Sequence, residues 1–338
     1  MRGLVFDGPG RIRFADDLPH PVTEEPTDAI VDVTLAGLCG SDLHPYSGRE
    51  RCASGVIPGH EVVGVVTEVG GAVASLRVGD RVIVPFTVSC GSCDRCTRGL
   101  SSRCRESRLF GWGDPSGTTP PLHGGQAERI RVPLADGTLV PIPERIDDAT
   151  ALLLTDSYPT AWHAVSRSDW TRGPLAVIGL GAVGLCAVAV ALTMGIEEVV
   201  GIDPVESRRA AAIALGAHAT TPDEVEGHFL SIVEAAGPPT AQRLAADLAD
   251  AGATISIIAV QTDPSFAIDP VLAYDRNLTI RTGRAPVRSV LQAILPEVES
   301  LRIPTGAIVT HPDRDLRDGP DLYRLFAERE VLKATFRP

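Results

Sequence analysis

Aromatic side chains are scarce in this sequence, 4% of 338 residues, and methionine occurs only twice. With an apolar fraction of 44%, the interior falls to Val, Ile, Leu and Ala, which suits a parallel sheet buried on both faces and hence an α/β fold. Basic charge is short as well: 31 Lys and Arg face 43 Asp and Glu, a net −12, and no block of like charge stands out. The electrostatic footprint of a nucleic-acid or anionic-lipid binder is therefore missing, and neither partner is expected. No apolar run reaches membrane-spanning length without Gly, Pro or a charge, and Met1 to Gly10 lacks a basic flank followed by an apolar stretch. A cytoplasmic protein without a membrane partner is expected. Cysteines number seven, odd for a disulfide framework, and four of them crowd between Cys90 and Cys104, which favours metal ligation.

A chain of 338 residues exceeds the size at which one core usually keeps growing, so two domains are expected. Up to about residue 146 the pattern is short β-branched runs broken by Gly and Pro, as in an antiparallel barrel-like domain. From residue 147 to 282 apolar strands alternate with Ala-rich helical stretches, which reads as βαβ units and a doubly wound parallel sheet. Residues 283–338 are again mixed and Pro-punctuated, and are read as a return to the first domain.

Gly179-Leu180-Gly181-Ala182-Val183-Gly184 follows an apolar run and opens an Ala-rich one. Gly179 permits a tight turn, Gly181 a close approach to a pyrophosphate, and Gly184 close helix–strand packing. Ala182 and Val183 start the helix whose amino terminus faces the anion. Asp203 ends the next predicted strand at about the 20-residue distance expected of a ribose-binding acid, and a carboxylate there disfavours a 2′-phosphate, so NAD is expected over NADP. Arg208 and Arg209 would soften that preference, or simply form a solvated helix face. The alternative is a glycine-rich turn that holds nothing, with Asp203 an ordinary turn residue.

Cys90, Cys93, Cys96 and Cys104 form C-x2-C-x2-C-x7-C in a loop rich in Gly, Ser and Arg. Four thiolates on a loop too short for its own core suit a closed tetrahedral zinc site, expected to be structural; an iron–sulfur cluster or free thiols are the alternatives. A second set is dispersed: Cys39 and His44 in Gly37-Leu38-Cys39-Gly40-Ser41-Asp42-Leu43-His44, and His60 in Pro58-Gly59-His60-Glu61. Taken singly, Cys39 and His60 read equally as core residues.

In this order, along essentially the whole chain, these motifs resemble the zinc-containing alcohol dehydrogenases of the medium-chain dehydrogenase/reductase superfamily. The closing Val331-Leu332-Lys333 is similar to that family's last strand. The resemblance implies a GroES-like β-barrel catalytic domain over residues 1–146, with a zinc lobe at 85–108, a Rossmann domain at 147–282, and 283–338 returning to the barrel. It implies two zinc ions per chain. Cys39 and His60 are implied ligands of a catalytic zinc, with Asp156 the third, where many members carry Cys. An Asp ahead of Pro159 also suits a helix cap. Glu61 is a further metal candidate, on the ion or just behind it. Ser41 resembles the hydroxyl that takes the substrate proton, His44 the base that passes it to solvent, and Thr160 a contact to nicotinamide. The implied reaction is hydride transfer between NAD and a primary or secondary alcohol, or the matching aldehyde or ketone, by a homodimer or homotetramer. Polyol or formaldehyde dehydrogenation is the alternative within the family. A non-catalytic NAD-binding redox sensor is the alternative outside it.

Overall fold

The computed structural model describes residues 1–338, the side chains of Arg172 and Glu299 excepted. The chain divides into two compact units: Met1–Asp156 with Pro286–Ala293 and Val309–Pro338, and Ser157–Ala285 with Ile294–Ile308. No described helix is long and apolar enough to cross a membrane.

In the first unit a seven-stranded sheet runs in the order His311–Arg314, Ala334–Phe336, Ala29–Gly37, Val62–Val69, Arg81–Val84 and Val140–Pro141, with Arg129–Val132 also paired to Ala29–Gly37. All pairs are antiparallel except that of His311–Arg314 with Ala334–Phe336. Its core is rich in β-branched residues: Val31, Val33, Val62, Val66, Val82, Val84 and Ile130 pack with Leu4, Phe110 and Phe336. Two features bring the ends of the chain to one place. The strand Ala29–Gly37 delivers the Gly37–Cys39 corner, and the closing strand pairs Thr335 with Gly37, so that Leu38 N donates to Ala334 O at 3.0 Å.

The second unit is a six-stranded, wholly parallel sheet ordered His218–Thr220, Val199–Ile202, Leu175–Ile178, Phe229–Glu234, Ala249–Ile257, Thr279–Thr282. The chain reverses direction across the sheet between the third and fourth strands, the place where such sheets open a ligand crevice. Leu175–Ile178 is buried throughout, and the helix Ala182–Thr193 behind it is buried from Gly184 to Ala191, which explains its uniformly apolar sequence. Gly179 has φ +89°, and a Cβ on Gly184 would lie 1.8 Å from Gly179 O, so both positions require glycine.

The divisions expected at 146/147 and 282/283 stand in the structure at 156/157 and 285/286, and Ile294–Ile308 goes with the parallel sheet. Arg81 donates to Ile146 O at 3.0 Å and pairs with Asp148 at 2.6 Å, tying the helix Asp148–Leu153 to the antiparallel sheet. The change of texture near Asp147 marks the start of that helix; it carries no information about which sheet the helix packs on.

Candidate active site and metal centres

The four-cysteine loop brings the sulfurs of Cys90, Cys93, Cys96 and Cys104 within 4.8 Å of one another. Main-chain amides point at them: Cys93 N lies 3.3 Å from Cys90 Sγ, Cys90 N 3.2 Å and Glu106 N 3.4 Å from Cys104 Sγ. Such donors favour thiolate. Those of Arg105 and Cys96 hold Cys93 down to about 6, whereas burial and the neighbouring Cys93 and Cys104 sulfurs push Cys96 up to about 12. Four convergent sulfurs, amide-supported and differently inclined to ionise, fit one tetrahedral zinc, which would deprotonate them together. Cys96→Ser is expected to lower the zinc content by one ion per chain and to lower the thermal midpoint. Elemental analysis with calorimetry checks this, and an unchanged zinc content at an unchanged midpoint would contradict it.

The second centre forms where the Ala29–Gly37 strand ends. Cys39, in extended conformation, begins the short turn Gly40–Asp42, and Asp42 Oδ2 accepts from Cys39 N at 2.9 Å. The other oxygen of Asp42 faces His60 Nδ1 at 3.2 Å, so one carboxylate sets both side chains. Asp42 is itself held: Gln126 Nε2 lies 3.4 Å from Asp42 Oδ2 and 3.1 Å from Gly37 O, and Tyr323 OH donates to Gln126 Oε1 at 2.8 Å. His60 follows Gly59, whose φ of +93° and 2.5 Å clearance between a built Cβ and the Gln126 side chain exclude other residues.

Cys39, His60 and Asp156 converge, with ligand atoms within 4.8 Å of one another. Cys39 Sγ lies 3.6 Å and His60 Nε2 3.7 Å from Asp156 Oδ2. Ser41 Oγ is 3.4 Å from Cys39 Sγ and 3.2 Å from His60 Nε2. Burial opposes charge on His60, but Asp42, Cys39 and Asp156 outweigh it and push the ring toward imidazolium; burial and Glu61 push the Cys39 thiol up. Three convergent donors of this kind suit a metal ion, and a Cys, His, Asp set is neutral around a divalent zinc.

Glu61 is placed differently from the three. Both its oxygens engage Lys333 Nζ, at 2.7 and 2.6 Å, with Glu61 0% and Lys333 1% exposed. Gly37 makes room for it, since a Cβ there would lie 2.2 Å from Glu61 Oε2. His44 sits in the short helix Leu43–Tyr46 with its Nδ1 buried, without a hydrogen bond among the described residues and 4.0 Å from Glu50; burial and Arg49 lower the ring to about 4. Thr160 is buried in the helix Ser157–Val165 of the second unit.

In that unit Asp203 is 3% exposed at the end of its strand, as expected, but its carboxylate turns to the main chain: Oδ2 accepts from Leu180 N and Oδ1 from Val205 N, both at 2.8 Å. Arg208 stands 3.8 Å from Oδ2, while Arg209 is spent on the carbonyls of Asp203 and Pro204. Gly181 caps the helix that Ala182 and Val183 open. A cavity of about 350 Å³ beside Pro174, Glu198 and Phe229 lies at the opposite strand ends from this loop and is unrelated to it.

Asp42, Gln126, Tyr323 and Lys333 are the site residues that sequence reasoning missed. A signal existed for two: Asp42 stands three residues after Cys39 in a capping spacing, and Lys333 breaks the apolar run that begins at Val331, just ahead of the closing strand, which the structure places at Ala334–Phe336 rather than at Val331–Lys333.

Comparison with known proteins agrees with this geometry. Residues 25–144 match the alcohol dehydrogenase GroES-like domain and residues 182–300 the zinc-binding dehydrogenase domain. The chain is 34% identical to zinc-type alcohol dehydrogenase B of Aspergillus flavus, over 100% of this chain and 81% of that one. It belongs to the zinc-containing alcohol dehydrogenase family. It is therefore an oxidoreductase of the medium-chain dehydrogenase/reductase superfamily. A probable zinc-binding alcohol dehydrogenase of Mycobacterium tuberculosis is 35% identical over 92% of this chain and 81% of its own. Among solved structures, the alcohol dehydrogenase of Thermus sp. ATN1 superposes with a TM-score of 0.91 at 32% identity, covering 100% of this chain and 99% of that one. In this zinc alcohol dehydrogenase the GroES-like unit carries both metal-binding clusters, and the Rossmann unit carries the glycine loop.

Proposed function

We propose that this zinc alcohol dehydrogenase transfers a hydride between NAD and a primary or secondary alcohol, or the matching aldehyde or ketone, at Cys39, His60 and Asp156. The observation that carries the reading is the convergence of these three side chains with Ser41 Oγ at their edge. Three protein donors, rather than four, are what a catalytic site keeps so that substrate can enter, in contrast to the four-cysteine cluster. Zinc held there supplies a Lewis acid that lowers the pKa of an alcohol hydroxyl, and a nicotinamide supplies the hydride acceptor. Asp42 accepts the Nδ1 proton of His60 and so leaves Nε2 as the donor atom. Ser41 takes the substrate proton, and His44 passes it on. Thr160, Gly179, Gly181, Ala182, Val183 and Gly184 are assigned to the dinucleotide.

NAD is proposed over NADP because the Asp203 carboxylate stands beside the loop, 3.8 Å from Arg208, and Arg209 is engaged by the carbonyls of Asp203 and Pro204, so that neither cation is left free for a 2′-phosphate. A homodimer or homotetramer is also proposed. It is supported by the sheet's unpaired edge strand Thr279–Thr282, next to the helix Pro270–Asp275, where Val271 is 73% and Tyr274 87% exposed. Initial rates of NADH and NADPH formation by zinc-loaded protein on an alcohol panel test the proposal; no turnover on any alcohol, or faster turnover with NADP, would sink the corresponding part.

His44 separates a relay from a bland turn residue. Burial and Arg49 lower the ring to about 4, so it is neutral at neutral pH with a lone pair open to a proton, and it is a weaker base than a free imidazole, which keeps the expected contribution small. His44→Ala is expected to reduce kcat by at most about a hundredfold, most at low pH where hydroxide cannot substitute, with partial rescue by imidazole. A wild-type pH–rate profile with no imidazole effect would remove His44 from the mechanism.

A further inference from the structure

Two acidic residues stand at the ends of the strands on either side of the one that leads into the glycine loop. Asp203 follows Val199–Ile202, and Glu234 ends Phe229–Glu234, where it pairs in register with Ile178, the residue just before Gly179. Glu234 is 0% exposed. Its Oε1 accepts from Ala236 N at 2.8 Å and Gly237 N at 2.6 Å, which folds the chain into a tight turn directly after the strand. Its Oε2 has no hydrogen-bond partner among the described residues. The turn is the surface on which the loop rests: a Cβ on Gly179 would lie 2.7 Å from Ala236 Cβ and 2.8 Å from Ala236 N. On the other flank Asp203 Oδ2 holds Leu180 N. Gly179 and Leu180 are thus held between a carboxylate and a carboxyl-stapled turn. An apolar residue would fill the end of a buried strand at no desolvation cost, so a fully buried carboxyl there calls for a purpose.

We infer that Glu234 is a positioning residue for the dinucleotide: by stapling Ala236 and Gly237 it fixes the wall against Gly179 and so aims the loop amides that receive the pyrophosphate. The inference rests on the dinucleotide reading of that loop. Glu234 needs no contact with cofactor to act, and only its Oε1 is used. Burial raises its carboxyl toward the neutral form, which makes glutamine the nearest mimic.

The test is fluorescence titration of NADH, with steady-state kinetics, on full-length zinc-loaded wild type, Glu234→Ala and Glu234→Gln. Glu234→Ala is expected to weaken NADH binding and raise KM for NAD by about tenfold or more, since small misplacements of a binding frame carry such costs. Meanwhile kcat at saturating NAD and KM for the alcohol should stay within about twofold, and Glu234→Gln should recover binding to within about threefold of wild type. If Glu234→Ala does not fold, Glu234→Asp, which withdraws the carboxyl from the two amides by one methylene, takes its place with the same expectations. Wild-type affinity in the Ala or Asp variant, a fall in kcat with KM unmoved, or a Gln variant no better than Ala would overturn the inference alone. A wild-type protein that binds no dinucleotide would overturn the underlying reading, and this inference with it.

Discussion

Asp156→Asn is expected to lower alcohol-dependent NADH formation by at least about a hundredfold, because replacing mere outer partners of a metal ligand already costs 10- to 100-fold. The carboxylate oxygen is 3.6 Å from Cys39 Sγ and 3.7 Å from His60 Nε2. A neutral amide there removes one of the two negative charges that balance a divalent ion and leaves a poorer donor. Elemental analysis should show one zinc lost per chain, the four-cysteine ion remaining, and NADH titration should show the dinucleotide still bound. Full zinc and full activity in the variant would return Asp156 to the role of a helix cap ahead of Ser157.

The second large effect is expected in stability. Lys333 and Glu61 form an ion pair at 2.6 Å with neither side chain more than 1% exposed. Removing the ammonium leaves a carboxylate in a dry interior, and breaking buried pairs in this way costs about 3–5 kcal/mol. Lys333→Met should therefore lower the urea midpoint sharply, and Glu61→Gln should do so too. The double variant Lys333→Met with Glu61→Leu should recover most of the loss, because replacing both charges by packed apolar groups is often neutral. If the single variants unfold at the wild-type midpoint, the pair is not what joins the closing strand to the site.

These effects also mark how far the sequence could be read. The glycine loop and the four cysteines were legible because their chemistry is local: residues within one turn or one short loop meet by covalent connection alone. Cys39 and His60 were each ambiguous, and Asp156, 117 residues beyond Cys39, was reached through the family's order of motifs rather than through any spacing rule. The sequence allowed Glu61 a place on the metal; nothing local revealed that the strand Ala334–Phe336 would pair with Gly37 and deliver Lys333 to it from 272 residues away. Gln126 and Tyr323 were illegible for the same reason, since they support Asp42 from separate segments of the chain. The unit boundary moved because Arg81 claims Asp148, a tertiary choice that local composition does not record.

Zinc titration into chelator-treated protein, with NADH formation from an alcohol followed throughout, tests the central claim most directly. Metal-free protein should be inactive, and activity should return only with the ion that Cys39, His60 and Asp156 hold, so that Asp156→Asn, with its four-cysteine loop filled, stays inactive at zinc levels that restore the wild type. Alcohol oxidation by the metal-free protein, or full recovery with the four-cysteine loop alone occupied, would contradict the assignment of the reaction to these three residues.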